Sequence, residues 1–148
     1  MTKVTEASAV LDTLPSWVWD VPYAAGSYPG AVPRESWRDG ANCQLFAYGV
    51  LALHGWDVTD LRSDELWFDE ECTAVATEVL PLDLVLFQKD QQPYGAHVGL
   101  VVAEDAVLHL CREVGVPAVW GWDEFAVRTR YRVVIGCKRP TRRLWNST

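Results

Sequence analysis

The sequence predicts an α+β fold in which a helix carrying a cysteine at its start packs against an antiparallel sheet. Three observations predict it. Apolar residues make up 49% of the 148 residues, enough for one real core and too short a chain for two comfortable ones. Residues 43–54 are an unbroken run of good or neutral helix formers between Asn42 and Gly55. Beyond residue 83 the pattern changes to short apolar strands separated by turn signals. Helix first and a run of strands after it is an α+β order rather than an α/β alternation.

One domain is expected over 1–148: a turn-rich wrap over 1–40, a core over 41–138 and a basic tail over 139–148. Residues 5–13 fit a short amphipathic helix. Pro15, Pro22, Pro29, Pro33 and several glycines then break regular structure. Trp17, Trp19, Tyr23, Tyr28 and Trp37 lie among them and need burial, which makes this stretch a wrap over the domain and not a linker. Asn42 suits the N-cap of the next helix, and Gly55 suits its C′ position. A second short helix is expected over 60–67, capped by Asp60 or Ser63. Strands follow at 84–88, 97–102, 106–112 and 132–138. The cations of Lys138-Arg139-Pro140-Thr141-Arg142-Arg143 read as a solvated end.

The stretch AHVGLVVAEDAVLHLCREV is the most informative. A three-residue turn at Ala103-Glu104-Asp105 places Val98, Leu100 and Val102 on one face with Ala106, Leu108 and Leu110. That face is wholly apolar. The other carries His97, Gly99, Val101, Val107, His109 and Cys111. A slip of one residue mixes the sets. In this register Gly99 lies opposite His109, with His97 diagonal to it at roughly 7–8 Å, and the glycine leaves space beside the ring. A histidine in a strand is most often a half-buried structural residue; two on one face beside a glycine bring the functional reading level with the structural one.

The net charge is −7 and the pI about 4.8. Such a chain is a poor candidate for holding nucleic acid or an anionic membrane by general electrostatics. The start has no basic segment followed by an apolar one, and no run is long enough to span a bilayer. A cytoplasmic location is expected, or export by a route that needs no signal. The cysteines, Cys43, Cys72, Cys111 and Cys137, show no C-x-x-C spacing and are expected as free thiols. Cys43 would be the first helical residue, where unpaired N–H groups favour a thiolate and offer donors to an oxyanion. Its base would have to come from the hairpin. Cys72 and Cys137 read as packing. A zinc site from Cys43, His97, His109 and Cys111 lacks the knuckle spacing of structural sites, so no metal and no cofactor is expected.

Taken together, these motifs resemble the NlpC/P60 family of papain-like cysteine peptidases and amidases, over roughly residues 20–112. Asn42-Cys43-Gln44-Leu45-Phe46 resembles its D-C-S-G-F segment. Pro81-Leu82-Asp83-Leu84-Val85-Leu86-Phe87 resembles its P-G-D-L-V-F-F strand, and His97-Val98-Gly99-Leu100 its H-V-G-I strand. A further polar residue, often His, follows twelve positions later, here His109. Pro22-Tyr23 resembles the family's P-Y. The resemblance implies Cys43 as nucleophile, His97 as general base, His109 as its orienting partner, and Tyr23 with the Cys43 N–H facing the oxyanion. It also implies substrate contacts at positions 42 and 44. There the family's Asp and Ser help to bind the free amine of a peptidoglycan stem peptide, and here Asn42 and Gln44 stand instead. A neutral amide cannot hold an ammonium by charge.

The expected function is therefore cleavage of an amide or peptide bond through an acyl-enzyme, on a small amide or peptide outside the usual cell-wall class. Transfer of the acyl group to an amine or alcohol uses the same apparatus. The alternatives are a peptidoglycan γ-D-glutamyl endopeptidase or amidase delivered without a signal peptide, and a catalytically silent binding domain on this scaffold. Trp17, Trp19, Trp120 and Trp122 are candidates for lining a cleft, although core or rim packing suits most of them better.

Overall fold

The helix expected at residue 43 begins there because Asn42 caps it. The Asn42 Oδ1 accepts hydrogen bonds from the N–H groups of Gln44 and Leu45, at 3.1 and 2.9 Å, which satisfies two of the donors that a helix start leaves open. The computed structural model describes residues 9–144. This helix, α1, spans Cys43–Leu53. Gly55 ends it with a φ of 86°, a left-handed value that glycine adopts without a Cβ clash. His54 fastens the same end, with Nδ1 3.1 Å from the Val50 carbonyl and Nε2 2.9 Å from the Thr13 hydroxyl.

A second helix, α2, covers Ser63–Phe68. Neither Asp60 nor Ser63 caps it. The Glu65 carboxylate instead accepts from the Arg62 N–H at 2.8 Å, and the Ser63 hydroxyl accepts from the Gly95 N–H at 2.8 Å. Five strands and a short helix follow as β1 (Thr73–Ala76), β2 (Leu84–Gln88), β3 (His97–Ala103), β4 (Ala106–His109), β5 (Ala118–Trp120) and α3 (Trp122–Ala126). The last strand, β6, is Val133–Pro140. They form one antiparallel sheet in the order β1-β6-β2-β3-β4-β5. Three-residue strands with little alternation, such as β5, carry no pattern that a sequence reading can use.

In the hairpin Leu100 lies opposite Leu108 and Val101 opposite Val107, the expected register. The turn itself differs. The register shifts between Val101 and Ala103, which pairs with Ala106. Val102 is thus the extra residue of a bulge, and Glu104-Asp105 form a two-residue turn. The bulge lets a short turn and the apolar register coexist.

Both faces of the sheet are covered. Val98, Leu100, Val102, Leu108 and Leu110 pack with Leu84, Leu86 and the buried residues of α1. Val85, Val101, Val107 and Cys111 pack with Trp120, Phe125 and Tyr131 from β5, α3 and the 3-10 turn Thr129–Tyr131. The space above Gly99 is filled rather than empty: a Cβ there would lie 2.6 Å from the Val107 side chain.

The N-terminal stretch wraps the helix face as expected. Its 3-10 turns, Ser16–Asp20 and Arg34–Asp39, carry Trp17 and Trp37, whose rings meet at 5.1 Å. Of the helix expected over 5–13, residues 9–11 are helical and 5–8 lie outside the described residues. The basic stretch is not a solvated end. Lys138 is buried in β6 and donates to the carbonyls of Trp67 and Asp69 at 2.9 and 2.7 Å. Arg139 makes a two-pronged pair with buried Asp83, at 2.8 and 2.9 Å. Arg142 reaches Asp57, and Arg143 stacks on Trp56. Each cation meets an acceptor or a ring within the fold, so the charge run is structural. Residues 145–148 of the expected tail lie outside the described residues.

Gly49 sits mid-helix because Trp37 leaves no room. A Cβ there would lie 2.2–2.7 Å from three atoms of the buried indole. Replacing glycine in a helix interior by alanine ordinarily gains about 1 kcal/mol, and overpacking a core costs about 1–3 kcal/mol. With the overlap this deep, Gly49→Ala is expected to destabilise the fold by about 2 kcal/mol net. Urea unfolding measures this directly, and a midpoint at or above that of the parent protein would contradict it.

Candidate active site

Cys43, His97 and His109 are brought to one place by three elements. Cys43 stands at the first position of α1, and the other two stand on β3 and β4. His97 Nε2 and His109 Nδ1 are 2.9 Å apart in a hydrogen bond, with ring centroids at 5.1 Å and planes nearly perpendicular. Cys43 and His97 line the same cleft, of about 880 Å³. The Cys43 sulfur also feels the backbone groups of Val98, Gln44 and Cys43 itself, which places it against the start of β3.

Tyr23 lines this cleft too. It is held there by backbone pairing beside the cysteine: Ala41 N–H donates to the Pro22 carbonyl at 3.1 Å, and Ala24 N–H to the Ala41 carbonyl at 2.9 Å. The other two expected contacts are not in the cleft. The oxygen of Asn42 is committed to the helix cap. Gln44 is buried and its amide donates to the Leu61 carbonyl at 3.2 Å. A residue following the cap points back along the helix into the body of the protein, so the expectation of substrate contacts from Gln44 and from the Asn42 oxygen is corrected.

The four tryptophans proposed for the cleft are packing residues. Trp120 is buried against His109 at 4.2 Å. Trp122 lies 6.0 Å from Phe87 and donates its indole N–H to the Glu104 carbonyl at 2.8 Å. Trp17 and Trp19 pack on the helix side of the sheet. Sequence reading missed instead the loops that complete the cleft. Lys89, Arg112, Glu113, Arg128 and Arg130 all line it. Their signal was only a scatter of charges just past strand ends.

Burial governs the protonation of the site. It pushes the Cys43 thiol up to about 11, against backbone groups that pull it down. The expected lowering at a helix start is therefore outweighed. His97 keeps part of its surface open to the cleft. Burial still holds its pKa well below the ordinary histidine value, and the charges of His109 and Arg130 add to the effect. His109 is pushed down to about 3 by burial and by the charge of Arg128. At neutral pH the site thus holds a thiol and two neutral imidazoles. His109 Nε2 is buried without a hydrogen-bond partner among the described residues, while its ring packs against Trp120 and Phe125 at 4.2 and 4.7 Å. A ring N–H among aromatic faces keeps a weak interaction of its own.

All four cysteines are free thiols. Among the described residues, no group of three or more His, Cys, Asp or Glu side chains converges as a metal site, and no helix is long and apolar enough to cross a membrane.

The architecture is shared with solved structures of NlpC/P60 proteins. The NlpC/P60 domain of the peptidoglycan hydrolase SagA matches over 81% of this chain and 92% of its own, at 17% identity and a TM-score of 0.54. NlpC2 from Trichomonas vaginalis matches over 96% of this chain at 18% identity and a TM-score of 0.57. An NlpC/P60 family protein from Bacillus cereus ATCC 10987 matches over 69% at 16% identity and a TM-score of 0.51. This chain spans 46% and 32% of those last two. No protein-family model matches the chain, and no curated protein sequence does. The chain has the papain-like NlpC/P60 fold.

The histidines make stability depend on pH. A group whose folded pKa lies below its unfolded value of about 6.5 favours folding above that value. The contribution is lost as pH falls toward the folded pKa, because the unfolded chain binds the proton first. For His109 the window runs from about 6.5 down to about 3. His109→Asn is therefore expected to flatten the fall in melting temperature between pH 7 and pH 4. Equal slopes for the variant and the parent protein would show that His109 is not held neutral.

Proposed function

We propose that the protein is a cysteine hydrolase that cleaves an amide or peptide bond through an acyl-enzyme on Cys43. The hydrogen bond between His97 Nε2 and His109 Nδ1 carries this reading, because it leaves Nδ1 as the His97 nitrogen that takes the thiol proton. In that tautomer His97 donates from Nε2 to His109. His109 fixes the ring and stabilises the imidazolium that forms when the proton arrives.

Cys43 attacks the substrate carbonyl as its proton passes to His97. The Cys43 N–H, which the Asn42 cap leaves free, would receive the oxyanion with Tyr23 beside it. His97 returns the proton to the leaving amine, and water then releases the acyl group. Burial sets the order of events. A neutral thiol and a neutral imidazole favour proton transfer during attack over a thiolate formed in advance.

The likeness to SagA, described as a peptidoglycan hydrolase, favours a peptide substrate. The replacement of the family's acidic residue by Asn42, whose oxygen caps the helix, favours one that does not present an ammonium there. We therefore propose a small amide or peptide outside the usual cell-wall class, acted on by a single domain in the cytoplasm.

The test is turnover of a panel of stem-peptide fragments and N-acyl amino-acid amides, with intact mass used to find the acyl adduct. Cys43→Ala and His97→Ala should each lower kcat/KM by about 10³-fold or more, and His109→Leu by less. Hydrolysis that survives Cys43→Ala, or a panel that leaves no adduct on Cys43, sinks the reading. The pH profile is a separate check. A reaction that needs His97 neutral and Cys43 as a thiol keeps its rate from below pH 6.5 up toward 11. An acid limb at or above pH 6.5 would place the base elsewhere.

A further inference from the structure

The charges around the cleft are opposite to those of the chain. Overall there are 13 Lys and Arg residues against 20 Asp and Glu. The cleft is lined by four cations, Lys89, Arg112, Arg128 and Arg130, and one carboxylate, Glu113. Nine cations and nineteen carboxylates remain for the rest of the protein. The four come from three separate loops: after β2, after β4, and around the 3-10 turn that precedes β6.

One of the four is already answered. Arg128 reaches both oxygens of Glu113 at 3.2 Å, donates to the Glu124 carbonyl at 2.6 Å, and lies over the Trp120 ring at 4.0 Å. Lys89, Arg112 and Arg130 have no carboxylate partner among the described residues. All three are exposed at the cleft. Arg112 is 5.7 Å from the Tyr23 ring, and Arg130 is near enough to His97 for its charge to act on the imidazole. The two guanidinium groups therefore stand near the two functional side chains that flank Cys43. Unpaired cations beside a reaction centre repel one another and gain nothing for the fold, whereas a planar guanidinium matches a carboxylate with two parallel hydrogen bonds.

We infer that the cleft selects acyl substrates that carry a free carboxylate close to the scissile amide, with Arg112 and Arg130 as its contacts and Lys89 adding to the local field. The inference rests on the proposed hydrolase and names its substrate class. It turns the family's expected preference around, because an ammonium at this site would meet three unpaired cations and no free carboxylate. The cleft thus offers an incoming anion a local surplus of cations on a chain whose net charge is negative.

Three peptide anilides of nearly equal length test it: succinyl-Ala-anilide, its succinamyl analogue with a neutral amide, and β-alanyl-Ala-anilide with an ammonium. Binding to Cys43→Ala by calorimetry at low salt comes first, because it needs no turnover. The succinyl compound should bind about tenfold or more tightly than the amide, and the ammonium compound most weakly. The advantage should shrink when salt is raised from about 0.05 to 0.5 M and in Arg112→Gln and Arg130→Gln, while binding of the neutral amide changes little. Equal binding of all three, or preference for the ammonium, overturns the inference whatever the catalytic result. Loss of Cys43-dependent turnover with the carboxylate preference intact would overturn the hydrolase reading and leave the binding site standing.

Discussion

Leu100 pairs with Leu108 across β3 and β4, and each face of the sheet they share is buried under a different layer. Helix α1 covers one face; Trp120, Phe125 and Tyr131 cover the other. Side chains alternate strictly along a strand, so one residue of slip would exchange the two sets. Val98 and Leu110 would then enter the aromatic layer, and His97 and His109 would be driven under the helix. Because both exchanges are unfavourable, the register is fixed from two sides. The bulge at Val102 absorbs the mismatch at the turn and does not pass it along the strands. A hydrogen bond of 2.9 Å between two imidazoles twelve residues apart is a consequence of this apolar packing.

The same packing determines what the site can do with protons. A thiol at a helix start has N–H groups in its favour, and a sequence alone shows only that favourable part. The fold adds desolvation, and for Cys43 desolvation is the larger effect. His97 and His109 are pushed the other way by the same cause. Each partner is neutral by itself, yet transfer of one proton between them creates two opposite charges side by side. Their mutual attraction in a partly dry cleft offsets part of the cost that each charge would bear alone.

Long, strongly patterned elements were readable from the residues. Helix α1 and strand β2 lie where their cap, C′ glycine and apolar run put them, and the hairpin register followed from the wholly apolar set of six residues. What escaped was set by partners distant in sequence. Strand β1 forms by pairing with β6, more than sixty residues further along the chain, and β5 is only three residues long. The basic stretch looked solvated because its acceptors, the carbonyls of Trp67 and Asp69 and the carboxylate of Asp83, are contributed by other elements. Leu82 has a φ of 77° where the resembling motif has glycine. It is held there by a 2.7 Å bond to the Val101 carbonyl and by the Asp83 turn behind it. Residue type and spacing also led to Cys43, His97 and Tyr23, which line one cleft, and to His109, which bonds His97. Asn42 and Gln44 were misplaced because spacing does not say which way a side chain turns at a helix start.

Net charge misleads for a related reason. A sum over the chain assigns every residue the same weight, whereas a substrate in a cleft responds to charges within about a Debye length, roughly 8–10 Å at physiological salt. Here the acidic surplus lies elsewhere, and the loops beyond β2 and β4 and before β6 supply the cations. Loops beyond strand ends are free to vary without disturbing the two buried faces. The architecture thus separates its tasks. The sheet register holds the imidazoles, the capped helix holds the thiol, and the loops supply the charges that line the cleft. The charge that lines the cleft can therefore change without any change in the core, because its cations stand on loops and not on the buried faces of the sheet.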